Sequence, residues 1–93
     1  MTEQNTLETA TQYYREVGAG VRPYERARCD DAGIRAIARD KVYAMLQYGI
    51  MCGRVTRVEP HHYVVSQAVY TGIIDLGVGP LLPFLGLTIE VRG

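Results

Sequence analysis

Hydrophobic positions in the first half of the chain recur at spacings of three and four. Leu7, Ala10, Tyr14 and Val17 fall on one helical face, so the pattern predicts a helix over residues 5–17. Asn5 is the expected N-cap, with Glu8 three residues on reaching back in a capping box. Gly18 and Gly20 end that helix, because glycine supplies the left-handed conformation common at helix C-termini. Pro23 opens a second helical stretch at Tyr24. Asp30 or Asp31 then caps a longer helix running to about Tyr48, with Ile34, Ile37, Ala38, Val42, Met45 and Leu46 as its apolar stripe and Gly49 as its stop. An Asp31–Arg35 surface pair adds about 0.3 kcal/mol.

After Gly49 the period changes. Residues 50–58 and 62–70 are rich in Val, Ile, Thr and Tyr and flank Glu59-Pro60-His61-His62, which predicts a β-hairpin turning at Pro60. Residues 73–76 are a candidate short strand and residues 77–86 a loop. In the last run Leu87, Ile89 and Val91 alternate with Thr88, Glu90 and Arg92, the pattern of a half-buried strand. The expected fold class is α+β: two or three N-terminal helices packed on a small, mostly antiparallel C-terminal sheet of three to four strands. Residues 1–93 form a single domain on this reading, burying about 60–65% of the unfolded surface.

Charge changes this picture in one respect. Ten basic and ten acidic side chains cancel to a formal net charge of +0, which argues against binding nucleic acid by bulk attraction. The charge is unevenly spread: residues 1–47 carry seven of each sign, whereas residues 60–89 carry Asp75 alone. The charged half must be largely solvated and the uncharged half largely covered. Nine of the ten basic residues are Arg, the cation suited to bidentate and stacked contacts.

The N-terminal residues show neither a basic nor an apolar region of a signal peptide, and the longest charge-free apolar run, Leu76–Ile89, is interrupted by glycines and prolines. The expectation is a cytoplasmic protein without a membrane span, its cysteines Cys29 and Cys52 reduced.

Candidate chemistry is sparse. Cys52 with His61 and His62 matches no zinc spacing. The hairpin register would place Cys52 opposite Val69, on the order of 30 Å from His61 at about 3.3 Å per residue. Cys52 therefore reads as a small buried apolar side chain. Asp30 and Asp31 are explained as caps at the positive end of a helix dipole, and Asp40 as solvated. Gly77-Val78-Gly79-Pro80 lacks the third glycine and the following helix of a dinucleotide loop. The expectation is no catalytic residues, no metal and no cofactor. Ala32-Gly33-Ile34 resembles the turn of a helix-turn-helix, but Arg39 occupies the position that should be apolar.

Two features point to binding instead. The 77–86 loop carries Leu81, Leu82, Phe84 and Leu85; either it folds back as a lid or it forms an apolar patch that a partner covers. Tyrosine supplies seven of the eight aromatic residues, and Tyr13 and Tyr24 lie near Arg22, Arg26 and Arg28 in a Tyr/Arg grouping typical of interface hot spots. The functional expectation is a small protein–protein interaction module without catalysis, its partner another protein or a second copy in a two-fold homodimer. Small motif-free chains of this kind are common among accessory and inhibitor proteins of phages and mobile elements. The alternative is a winged-helix-like nucleic-acid-binding regulator, with Arg54, Arg57, His61 and His62 of the 50–70 hairpin as phosphate contacts.

Overall fold

The computed structural model describes residues 6–92 and has helices N-terminal to a three-stranded sheet, an α+β arrangement. The predicted cap Asn5 lies outside the described residues. Helix α1 (Leu7–Val17) is capped by Thr6, whose hydroxyl accepts from the Thr9 N–H at 3.1 Å while Thr9 Oγ1 accepts from the Thr6 N–H at 3.0 Å. Gly18 leaves the helix in an extended conformation (φ −58°, ψ 131°), and the left-handed residue is Gly20. Helix α2 (Pro23–Arg28) begins at Pro23. Helix α3 (Asp31–Met51) is capped by Asp30, whose Oδ1 accepts from the Gly33 N–H at 2.7 Å. Of the six residues in the predicted stripe, Ile34, Ala38, Val42 and Leu46 are buried, and Ile37 and Met45 are half-buried beside them.

Gly49 does not stop α3. It is buried inside the helix, where a Cβ would overlap Val55 Cγ2 of the first strand. The glycine is there for close approach between helix and sheet, and the helix runs on to Met51.

Strands β1 (Val55–Glu59) and β2 (His62–Ser66) form the expected antiparallel hairpin about Pro60-His61, with a register shift between Arg57 and Glu59. Residues 50–54, 67–70 and 73–76 depart from the sequence reading: 50 and 51 end α3 and 52–54 form the turn into β1. Gln67–Asp75 is a helix, α4, capped by the Ser66 hydroxyl, which accepts from the Val69 N–H at 3.3 Å. Val69 and Ile73, four residues apart, face the core. Packing on α3 outweighs the β-branched composition, because burying that face stabilises the helix more than propensity opposes it. At the crossing, the Met45 methyl occupies the space a Gly72 Cβ would take.

The expected 77–86 loop is also ordered. Residues Gly79–Phe84 form a 3₁₀ segment that packs against α1 and buries Leu81 completely. Helix α4 and this segment together carry the chain back across the sheet, so strand β3 (Thr88–Arg92) pairs with β2 in parallel, from His62↔Thr88 to Ser66↔Arg92. A parallel partner needs a crossover rather than a tight turn. The sheet is therefore mixed, in the order β1-β2-β3. The core lies between it and the helices, with Tyr14, Ile34, Leu46, Val65, Ile73 and Leu81 among its fully buried side chains.

Candidate functional site

Three surfaces carry the residues that could do work. The first is the 3₁₀ lid. Leu81 is spent in the core; Leu82 and Leu85 are half-buried against it, and Phe84 is 41% exposed. Two further exposed apolar side chains lie at its N-terminal end: Val17 beside Gly77, and Ile74 beside Gly79. The segment therefore folds back as a lid through Leu81 and leaves Phe84 as its one exposed large side chain.

The second is the Tyr/Arg grouping on α1 and α2. Tyr13, Tyr24 and Arg22 are exposed, and the Arg28 guanidinium stands 6.0 Å from the Tyr24 ring centre. Arg26 does not belong with them. It is only 7% exposed, and its guanidinium donates to backbone carbonyls: Nε to Arg15 O at 2.8 Å, Nη1 to Gly18 O and Val21 O at 2.6 Å each, and Nη2 to Glu16 O at 3.4 Å. These are orphan acceptors at and beyond the C-terminus of α1, where a cation is also favoured by the helix dipole.

Arg15 returns the arrangement, donating to Arg26 O at 2.5 Å, to Cys29 O at 2.8 Å and to Asp31 Oδ1 at 2.7 Å. Asp31 therefore pairs with Arg15 rather than with Arg35, which donates to Thr11 Oγ1 at 3.3 Å. The two arginines clasp α1, α2 and the start of α3. Tyr14, beside them, is fully buried and its hydroxyl has no hydrogen-bond partner among the described residues. Burial pushes its phenol above the ordinary value of 10.0, with the Arg26 charge pulling the other way. Helix α1 packs against both α2 and the 3₁₀ segment, so it is the element the first two surfaces share.

The third place is one the sequence reading missed. Between α3 and α4 lies an open cleft of about 340 Å³. Ala44, Met45 and Tyr48 line it from α3, Ala68 and Val69 from the first turn of α4, and Arg54 from the connection into β1. Small side chains at 44 and 68 leave the space. Tyr48 and Met51, 68% and 78% exposed, stand on the same end of α3. The signal was Ser66 followed by Val69 and Ile73, a cap with its i, i+4 pair, which the β-rich composition masked.

On the hairpin, Arg54, Arg57 and His61 are exposed. His62 sits between two carboxylates, with Nδ1 4.0 Å from Glu59 Oε2 and Nε2 3.4 Å from Glu90 Oε1, charge-pair distances rather than hydrogen bonds. The Glu90 carboxyl is held below its usual range, chiefly by the 2.9 Å hydrogen bond from Arg92 and by that residue's charge. Cys52 is exposed at the C-terminal end of α3, not buried in a strand, and Val69 lies in α4, so the predicted pairing of the two does not form. Among the described residues no three His, Cys, Asp or Glu side chains come together as a metal set, and no helix is long and apolar enough to cross a membrane. No protein-family model matches this chain, and neither a curated protein nor a solved structure does so.

Proposed function

We propose that this protein is a cytoplasmic interaction module, working by binding another protein, or a second copy of itself, rather than by catalysis. The observation that carries the reading is the 3₁₀ lid. It anchors itself through Leu81 yet leaves Phe84 in solvent, with Val17 and Ile74 exposed at its N-terminal end. A segment so anchored presents its exposed ring at low conformational cost, which favours tight association. Tyr13 on α1, with Arg22 and Tyr24 at the start of α2, offers a second exposed set of the residue types that dominate interface energetics. The two carboxylates beside His62 disfavour phosphate at the hairpin, so a protein partner accounts for more of the surface than nucleic acid does.

The test is light scattering over a concentration series, with affinity capture from the cells that make the protein, on wild type and on Phe84→Asp. The expected result is an assembly or a captured protein that Phe84→Asp loses while keeping the wild-type melting curve. A wild-type monomer that captures nothing, or a variant that captures the same protein equally well, overturns the reading.

A further inference from the structure

We propose that the α3–α4 cleft is a binding site for a small amphipathic carboxylate, an apolar body of about ten non-hydrogen atoms ending in a single anionic group. The proposal is independent of the lid surface, because it uses different side chains in a different part of the fold.

Size comes first. At about 30 Å³ per atom-sized occupant, the share of liquid volume a water takes, 340 Å³ holds on the order of eleven non-hydrogen atoms. That lies at the lower end of the range for small-molecule sites, which begins near 300 Å³.

Chemistry follows from the lining. Met45, Ala44, Ala68 and Val69 offer hydrocarbon, and Tyr48 adds an aromatic face. Met adapts its shape to an irregular apolar guest. One cation lines the site, Arg54, and among the described residues it has no carboxylate partner and no side-chain hydrogen bond. Its backbone is held at both ends, its N–H donating to Gly49 O at 2.8 Å and its carbonyl accepting from the Ser66 N–H at 3.2 Å. The backbone of Arg54 is thus fixed at the cleft, its guanidinium has no partner among the described residues, and the planar fork matches a carboxylate in bidentate geometry. A neutral ligand would leave those donors unused, and a cationic one would be repelled.

The experiment is an amide-shift NMR titration of the wild-type protein with octanoate, 3-phenylpropanoate, octan-1-ol and octylammonium. The two acids share the chemistry and differ in body, so the tighter one tells whether the natural ligand is aliphatic or aromatic. Saturable shifts confined to residues 44–49, 54 and 66–70 are expected with at least one acid. Arg54→Gln should weaken that acid about tenfold and leave octan-1-ol unchanged. Ala68→Phe, which fills the cleft from an exposed position, should abolish both while leaving the melting curve intact. Shifts scattered over the surface, octan-1-ol binding wild type as tightly as octanoate, or an Arg54→Gln variant that keeps full affinity for the acid would each overturn the proposal.

Discussion

Arg26→Ala removes the one guanidinium that closes the C-terminal end of α1. Arg26 makes three short bonds, to Arg15 O, Gly18 O and Val21 O, and a longer one to Glu16 O. A hydrogen bond to a charged group is worth about 1.5–3 kcal/mol net. The simple sum for three overshoots, because water enters the vacated volume and rehydrates part of each carbonyl. About 3 kcal/mol remains, against a total of about 5–15 kcal/mol for a domain. For a chain of this length about 4–8 °C of Tm accompanies each kcal/mol, so the variant should melt roughly 12–24 °C lower.

Two controls separate the guanidinium from its surroundings. Arg22→Ala, at an exposed site whose side chain makes no hydrogen bond or ion pair among the described residues, should stay within about 0.5 kcal/mol of wild type. Arg26→Lys keeps the charge but gathers its donors at one point, and should recover less than half of the loss. Circular dichroism during urea and thermal unfolding measures all three. An Arg26→Ala protein within about 1 kcal/mol of wild type would refute the clasp as a structural element and return Arg26 to the surface set.

Other consequences follow from the same packing. Tyr14→Phe removes a buried hydroxyl that has no partner among the described residues, so the urea midpoint should hold or rise, by up to about 1 kcal/mol; a loss of that size would show that the hydroxyl is bonded. Because burial raises the Tyr14 pKa, its contribution is complete below pH 10.0. It declines as pH rises through the folded-state value, since the unfolded chain gives up the proton first; a stability titration should show Tyr14→Phe lacking that alkaline decline. Gly49→Ala would gain about 1 kcal/mol in an exposed helix interior. Here the methyl meets Val55, so a loss of about 1–3 kcal/mol is expected, and adding Val55→Ala should show positive coupling in a double-mutant cycle. Asp30→Ala should cost about 1 kcal/mol through the lost cap on α3, read from the same unfolding curves.

The N-terminal half was legible because local rules and tertiary packing agree there. The Asp30 cap, Pro23 at a helix start and the 34–38–42–46 stripe each point to the element that forms. Gly49 misled because glycine has two uses, ending a helix and admitting a neighbour, and only the position of Val55 decides between them. The segment after Ser66 misled for the opposite reason: its composition favours a strand, while its burial against α3 makes it a helix. With α4 went the parallel pairing of β3 and the α3–α4 cleft, since both depend on that crossover. Arg26 shows the same limit in a side chain. Sequence places it beside exposed tyrosines, but the carbonyls it serves converge only once α1 and α2 have packed.

The most direct test of the account replaces Phe84 with a photo-crosslinking phenylalanine analogue in cells that make the protein, with exposed Arg39 of α3 replaced in the same way as control. A discrete covalent adduct with one protein species, or with a second copy of the chain, from position 84 and none from position 39 is the predicted result. Adducts equally abundant from both positions, or none from position 84, would contradict the claim that the exposed lid is where this protein meets its partner.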